Sequence, residues 1–451
     1  MSELILNAFS MNSVGHSYHG LWTHPEDRST DYRDLAYWTE LAKTLEAGLF
    51  DAIFLADILG VYDIYGGNID LVAREAVQLP VNDPLALIPA MAAVTEHLGF
   101  GVTVNISQEH PYTFARRLST LDHLSRGRLG WNIVTGYLDS AARAVGRDGL
   151  TAHDQRYDQA QDYLELCYKL WEYSWAADAV KADRQGRLYA DPAKIRAIRH
   201  KGPFYQSQGY HLAEPSPQRT PLLFQAGASG RGQKFSAQNA ECIFIAGTDK
   251  AAAKAVVEGL RANVAALGRA RDSIRILTGI NVITGATEAE AQEKYRDYLH
   301  YASPEAGLAH FSASTGVDLS RFEIDDPLPW GEGNAIQSAS SLAKSRGWTK
   351  RALLQQHALG GRYPLLIGSG AQVAKALVDF ADETGVDGFN LARLLNPASF
   401  TDVARYVVPE LQELGRYKTA YRKGSLRHKI FGQGDHLPQS HIARQLEVDF
   451  V

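Results

Sequence analysis

Short apolar runs and longer amphipathic segments alternate along the whole chain. An apolar run predicts a buried strand, and apolar positions repeating every three or four residues predict a helix. The predicted strands lie at residues 4–9, 52–56, 100–104, 129–134, 222–226, 242–246, 274–283, 364–367 and 388–391. Strand and helix alternate about eight times, which predicts an α/β protein with a parallel sheet. Eight such units favour a closed (β/α)8 TIM barrel over an open sheet.

Three stretches between these elements are longer than ordinary strand–helix connections. They lie near residues 60–83, 175–215 and 303–348, and we expect them to be insertions into one barrel domain that spans residues 1–451. Residues 416–451 form a C-terminal extension that is basic and then mixed in charge. We expect this extension to wrap the outside of the barrel or a neighbouring subunit.

Polar residues stand where the predicted strands end. Asp57 directly follows the second strand, Thr103 lies near the end of the third, and Asn132 interrupts the apolar fourth strand. The carboxyl ends of the strands form the ligand-binding mouth of a barrel. A carboxylate there, such as Asp57, must be satisfied by a ligand or by neighbouring N–H groups.

The segment GASGRGQKF follows the fifth predicted strand and opens a helix. Small residues at a helix start leave backbone N–H groups accessible, and the positive end of the helix attracts anions. Ser229 and Gly230 are therefore the predicted anion site. Phosphate binding beside the late strands is common in such barrels, which points to a phosphorylated cofactor.

Composition narrows the class of protein. The chain has 46 basic and 51 acidic residues, a formal charge of -5, which argues against nucleic acid or an anionic membrane as partner. No apolar run approaches the ~20 residues of a membrane span, and the N-terminus does not resemble a signal peptide. Cys167 and Cys242 lie in apolar patterns without metal-ligand spacing, which fits a cytoplasmic protein.

Several common catalytic motifs are missing from the sequence. The segment GSGAQV at Gly368 lacks the third glycine of a dinucleotide fingerprint, and the sequence has no P-loop, H-E-x-x-H or G-x-S-x-G motif. His16, His19 and His24 share a loop without a supporting carboxylate or cysteine pattern. We therefore favour pocket or solvent histidines over metal ligands and predict no metal site.

Longer stretches resemble one family. They include LNAFSMNSVGHSYHGLWTHP, FDAIFLADILGVYDIYGG, REAVQLPVNDP, ARRLSTLDHLSRGRLGWNIVTGYLDSAARAVG, HDQRYDQAQDYLELCYKLWEYSW and EPSPQRTPLLFQAGASGRGQKF. In order along the chain, they resemble the bacterial-luciferase-like flavin monooxygenases. The similar branch holds nitrilotriacetate, dibenzothiophene-sulfone, long-chain-alkane and dimethyl-sulfide monooxygenases.

The resemblance implies a set of residues that bind FMN. Asp57 and Thr103 would lie by the isoalloxazine ring, and Asn132 and Tyr137 would line its other side or the ribityl chain. The remaining implied contacts, to the ribityl chain and phosphate, come from His153, Tyr157 and Ser229, with Gly230 beside them.

The resemblance also implies the chemistry. Reduced FMN reacts with O2 to a C4a-(hydro)peroxide, which must be shielded from water. The implied substrate is a small organosulfur compound or alkane, and a separate NAD(P)H:flavin reductase would deliver FMNH2. His310 is the implied proton donor, Tyr62 belongs to an aromatic lid, and Ser13 and His16 complete the predicted catalytic set. The resemblance further implies a homodimer or homotetramer.

Alternatives remain open from the sequence. Ser13 stands where the alkane enzyme has a cysteine, which weakens the transfer of alkane specificity. A riboflavin lyase that cleaves riboflavin to lumichrome and ribose, using reduced FMN and O2, would fit the same motifs. Two further alternatives are a flavin-binding barrel without turnover and a phosphate-ester enzyme that uses Asp57 as a base.

Overall fold

Eight parallel strands form a closed ring at the centre of the protein. The structure is a computed structural model that describes residues 3–227, 229–246, 249–328, 347–359, 361 and 363–451. In chain order the ring strands are β1 (Ile5–Met11), β2 (Ala52–Ala56), β3 (Gly99–Asn105), β4 (Leu129–Val134), β5 (Leu222–Gln225), β6 (Cys242–Ile245), β7 (Arg275–Gly285) and β8 (Gly388–Ala392). Each pairs with its neighbours in sequence, and β8 pairs with β1 to close the ring. The predicted (β/α)8 barrel is confirmed.

One predicted late strand does not belong to the ring. Leu365–Ser369 pairs only with the outer half of β7, from Asn281 to Gly285, whereas the inner half of β7 pairs with β8. At 11 residues, β7 is long enough to extend beyond the barrel and carry this additional parallel strand. A short apolar run looks the same in both positions, so the sequence pattern could not separate them.

Helices surround the ring. The first, Leu35–Ala47, is capped by the Asp34 side chain and buries Trp38 and Leu41. The other longer helices are Pro111–Leu124, His153–Tyr168, Gly230–Asn239, Lys250–Ala266, Glu288–Tyr301, Pro304–Thr315, Lys350–Ala358 and Gly370–Thr384. Shorter helices are Asp70–Arg74, Ile88–Ala93, Asp139–Ala144, Ala398–Asp402, Val408–Glu413 and Leu426–Phe431.

The predicted insertions contain regular structure. Residues 175–215 form two antiparallel hairpins, Val180–Asp183 with Leu188–Ala190 and Ile198–Lys201 with Gln206–Gly209. The third insertion contains helix Pro304–Thr315, and residues 329–346 of it lie outside the described residues. Within the described ranges, no helix is both long and apolar enough to cross a bilayer.

The C-terminal extension packs on its own barrel. Helix Leu426–Phe431 lies against the amino ends of the strands, where the Leu426 N–H donates to the Gly127 carbonyl at 2.8 Å. A Cβ atom at Gly99 would stand 2.5 Å from the Leu426 side chain, so the missing side chain at Gly99 makes room for this helix. The chain end then adds Asp449–Phe450 to the hairpin strand Ile198–Lys201.

Candidate functional site

A cavity of about 230 Å³ opens at the carboxyl ends of the strands. Its walls come from the segments that follow β2, β4 and β5 and from the first turns of helix His153–Tyr168. Five of the predicted site residues line it: Asp57, Tyr137, His153, Tyr157 and Ser229. Residues separated by more than 170 positions therefore meet in one place, because parallel strands deliver their carboxyl ends to the same rim.

One end of the cavity suits an anion. Ser229 caps helix Gly230–Asn239, and its hydroxyl accepts from the Gly232 N–H at 3.0 Å. The hydroxyl of Tyr157 is so near Gly232 that an added Cβ there would stand 2.7 Å from it. Arg156, on the turn that carries Tyr157, also lines the cavity, and burial lowers its pKa from the ordinary 12.5. A helix start, two hydroxyls and a guanidinium together form the donor set that phosphate prefers.

The middle of the cavity is apolar, with one carboxyl group at its edge. Ile58, Ile133 and Leu138 line this part. Burial, followed by the nearby charge of Asp83, raises the pKa of Asp57 from 3.8 to about 7, against the opposing effect of hydrogen bonds from the Ile58 N–H and from Gln108. Near neutral pH, Asp57 is therefore present both as a carboxylate, which accepts hydrogen bonds, and as a protonated carboxyl group, which can donate one.

Thr103 and Asn132 lie inside the ring and not on the cavity wall. They are register partners on β3 and β4, and the Asn132 amide donates to the Thr103 hydroxyl at 2.9 Å. Among the residues that the structure describes, the buried Oδ1 of Asn132 has no hydrogen-bond partner. A buried acceptor without a donor is unfavourable, so this atom suits a ligand N–H or a bound water.

Gly136 shapes the loop between β4 and Tyr137. Its φ of 79° lies in the left-handed region, and an added Cβ would stand 2.7 Å from the Asn105 side chain. Both constraints favour glycine. The loop therefore turns sharply at this point and brings Tyr137 to the cavity wall.

Tyr137 connects the cavity to a buried polar group of residues, which we call the tyrosine–histidine cluster: Tyr62, Gln78, Tyr137, His310 and His19. The Gln78 amide donates to the His16 carbonyl at 2.8 Å, so its oxygen accepts the Tyr62 proton at 2.7 Å. The Tyr62 hydroxyl has only that proton, so Tyr137 is the donor in the 2.9 Å contact between the two tyrosine oxygens. The hydroxyl groups are therefore ordered in one direction, away from the cavity.

His310 lies behind Tyr62. The two rings stack with centroids 5.0 Å apart and an angle of 17° between their planes. His310 belongs to helix Pro304–Thr315 and is 8% exposed, so it is a buried helical residue and not part of a surface loop. Its Nδ1 atom is 3.2 Å from Nε2 of His19.

The structure places the other predicted residues further from the cavity. The buried Ser13 hydroxyl donates to the Gly15 carbonyl at 2.6 Å, and the buried His16 ring packs edge-on against Phe9. Gly230 is exposed at the first turn of its helix. None of the three is among the residues that line the described cavity. Their predicted roles therefore stay predictions, with Ser13 and His16 next to the cluster and Gly230 next to the anion end.

Sequence reasoning missed three residues of this site. Arg156 lies inside the HDQRY segment, where its charge beside a predicted phosphate contact was a usable signal. Gln78 lies in an insertion without periodicity, and no local feature of the sequence marks it. His19 is predicted only as a pocket or solvent histidine, and the sequence does not reveal its partner His310, which is 291 positions away. Among the described residues, no group of histidine, cysteine and acidic side chains could hold a metal ion.

Comparison with known proteins agrees with this geometry. Residues 17–388 match the model of a family described as luciferase-like monooxygenase. The chain is 47% identical to dimethyl-sulfide monooxygenase from Hyphomicrobium sulfonivorans, over 100% of this chain and 95% of that protein, and the solved structure of that enzyme superposes with a TM-score of 0.93.

Two further relatives have different activities. Long-chain alkane monooxygenase from Geobacillus thermodenitrificans is 47% identical over 98% of this chain and 97% of its own. A solved structure of riboflavin lyase with modified FMN and riboflavin is 37% identical, with a TM-score of 0.93 over 98% of this chain and 99% of that one. Family model, sequence identity and barrel geometry agree: the chain belongs to the luciferase-like monooxygenases, a flavin-dependent family.

Proposed function

We propose that the protein is an FMNH2-dependent monooxygenase that acts on a small organic substrate, with an organosulfur compound as the first candidate. The proposal rests on one observation: an anion end, an apolar middle and the adjoining tyrosine–histidine cluster lie together at the carboxyl ends of the strands. The 47% identity to a dimethyl-sulfide monooxygenase over the whole chain supports the substrate class.

The residues fit FMN. Ser229, Tyr157 and Arg156 would hold the phosphate, because they combine hydroxyl and guanidinium donors at a helix start. The apolar middle would take the flat ring. Asp57, on the cavity wall, and the buried oxygen of Asn132, which has no hydrogen-bond partner among the described residues, would meet polar edges of the ring. Bound reduced FMN would supply the two electrons that O2 activation needs.

The chain's own residues would orient and shield the reactants. Ile58, Ile133 and Leu138 exclude water from the middle of the cavity. The Tyr137 proton is directed inward to Tyr62, so the Tyr137 oxygen is oriented to accept a hydrogen bond on its cavity side. The stacked ring of Tyr62 holds the plane of the His310 ring, and His310 is the proposed proton donor of the site.

The size of the cavity bears on the substrate. At about 230 Å³ it is smaller than the ~300–1,000 Å³ of most ligand pockets. A confined site favours a small substrate such as a sulfide over a long alkane or a second flavin as the first substrate to test.

The proposed electron source is a separate NAD(P)H:flavin reductase. The sequence segment nearest to a dinucleotide fingerprint, at Gly368, lacks its third glycine. The proposed compartment is the cytoplasm, which keeps thiols reduced, and the two cysteines of the chain are both free.

One experiment tests this function. Purified protein receives FMNH2 from a flavin reductase in air, with dimethyl sulfide, hexadecane or riboflavin. Substrate loss and H2O2 are measured per FMNH2 oxidised. We expect dimethyl sulfide to be consumed and H2O2 to fall in its presence. Peroxide alone with every substrate would indicate a flavin carrier, and absence of FMN binding would favour the phosphate-ester alternative.

A second candidate is riboflavin lyase, favoured by the 0.93 TM-score of that enzyme's structure. Formation of lumichrome from riboflavin, with dimethyl sulfide left unchanged, would replace the monooxygenase proposal with this one.

A further inference from the structure

The contact between His19 and His310 joins two distant parts of the chain. His19 lies in the loop after β1, and His310 lies on the helix of the third insertion. Nε2 of His19 is 3.2 Å from Nδ1 of His310, and the two rings meet at 61° with centroids 5.4 Å apart. His19 does not line the cavity, so any part it plays must act through His310.

His19 is held in its neutral form. The residue is 2% exposed. Burial, and then the charges of His357 and Arg393, lower the pKa of His19 from 6.5 to about 3. Near neutral pH the ring therefore carries one proton, which must sit on Nδ1 or on Nε2.

The surroundings of Nδ1 favour the proton on Nε2. Within the described part of the chain, the buried Nδ1 of His19 has no hydrogen-bond partner. An added Cβ at Gly15 would stand 3.1 Å from Nδ1, so the chain packs closely there. A proton on Nδ1 would leave a buried N–H unpaired, which folded proteins rarely contain. A proton on Nε2 is instead donated to His310.

We infer that His19 is a positioning residue that donates its Nε2 proton to Nδ1 of His310 and so keeps the proton of neutral His310 on Nε2. The inference deepens the proposed function, on which its catalytic meaning rests. The stacked Tyr62 fixes the plane of the His310 ring, and His19 fixes which nitrogen carries the proton. Together they give His310 a defined donor atom, as the second partner of a histidine commonly does.

The first test reads the tautomer without flavin or substrate. The apoprotein is labelled with nitrogen-15 in its histidines, and the ring signals of His310 are assigned with a His310→Gln variant. We expect Nδ1 of His310 to show the shift of an unprotonated nitrogen and Nε2 that of a protonated one. In His19→Leu the two forms should mix, whereas His19→Gln, whose amide can donate from a similar place, should keep the native form. A protonated Nδ1 in the native protein overturns the inference.

The second test reads turnover with dimethyl sulfide as the probe. For His19→Leu we expect kcat to fall by about 10-fold with little change in KM, and for His19→Gln we expect recovery to within about 3-fold of the native value. Melting temperature and FMN affinity of both variants serve as controls. Equal loss in both variants, or loss that follows the melting temperature, would indicate a packing role only. If no substrate is turned over, the proposed function fails while the tautomer measurement still decides the inference.

Discussion

The pKa of a buried carboxyl group is shifted in opposite directions at the two ends of the barrel. At the amino end, burial of Glu241 is the largest effect and would raise its pKa, but the charge and hydrogen bonds of Arg427, together with smaller effects of His441 and the Leu223 N–H, lower it. At the carboxyl end, the pKa of Asp57 is raised to about 7 by burial and by Asp83. The amino end therefore holds a paired carboxylate with a lowered pKa, and the carboxyl end holds a carboxyl group with a raised pKa at the cavity.

The amino end of the barrel contributes stability, and the carboxyl end carries the candidate site. Arg427 donates to both oxygens of Glu241 and to the carbonyls of Thr220, Pro221 and Asp435. These bonds join the C-terminal extension to the strand starts. At the other end Asp57, Arg156 and Ser229 line a cavity. This division is the one expected when the C-terminal face of a barrel carries the site.

The largest effect should come from breaking the paired end. Arg427→Met leaves Glu241 buried and unpaired, so we expect the free energy of unfolding in urea to fall by about 3–5 kcal/mol. Arg422→Met is the matched control, because the Arg422–Glu3 pair is exposed at 59% and 45% and should contribute less than about 1 kcal/mol. Equal losses in the two variants would contradict the comparison.

The second largest effect concerns Arg156 at the open end. Arg156→Met removes the cation from the anion end, and we expect FMN to bind about 10–100-fold more weakly, in line with ~1.5–3 kcal/mol for a charged hydrogen bond. Riboflavin lacks the phosphate and should bind as before. Titration of protein fluorescence with each flavin measures both affinities.

Arg143→Met, which removes an exposed rim cation paired with Asp63, is the control. If riboflavin and FMN lose affinity equally in Arg156→Met, the guanidinium acts through its 2.6 Å bond to the Thr151 carbonyl and not on phosphate.

The sequence predicted the carboxyl end better than the amino end. Asp57, Tyr157 and Ser229 stand beside strand or helix ends that local patterns reveal, and parallel topology brings them together. At the amino end, the packing of helix Leu426–Phe431 depends on Arg427, whose partner Glu241 lies 186 positions away. Nothing in a basic tail distinguishes packing on its own barrel from packing on another subunit.

Within the site, the sequence failed where the contacts are long-range. The sequence does not predict the helix that carries His310 or its stack on Tyr62, and both are seen only in the structure. Gln78 and His19 carry no periodic signal, because their neighbours are set by the folding of two insertions. The ninth strand, Leu365–Ser369, has the same apolar pattern as a ring strand, and only pairing along β7 separates the two.

A smaller effect should follow from Asp57→Asn. Since the folded-state pKa of about 7 exceeds the ordinary 3.8, the unfolded chain loses this proton first as pH rises. The native protein therefore loses stability between about pH 4 and pH 7. We expect Asp57→Asn to be about 1–2 kcal/mol more stable than the native protein at pH 8, below the full linkage value because cavity water screens the charge.

At pH 4 the two proteins should be equally stable. Urea unfolding at pH 4 is therefore the control for urea unfolding at pH 8. Glu241 has the opposite sign: its lowered pKa contributes stability that is lost as pH falls. If Asp57→Asn is more stable than the native protein by the same amount at both pH values, the pKa of Asp57 is not raised in the folded protein.

The smallest effect distinguishes two serines that cap helices. Ser229 caps Gly230–Asn239 at the cavity, and Ser369 caps Gly370–Thr384 away from it. Loss of either hydroxyl should lower the free energy of unfolding by about 1 kcal/mol, because each satisfies a backbone N–H at a helix start. Only Ser229→Ala should also weaken FMN, by several-fold, since one neutral hydrogen bond contributes about 0.5–1.5 kcal/mol. If Ser369→Ala weakened FMN equally, general loosening of the barrel, and not a hydroxyl at the phosphate, would explain the change.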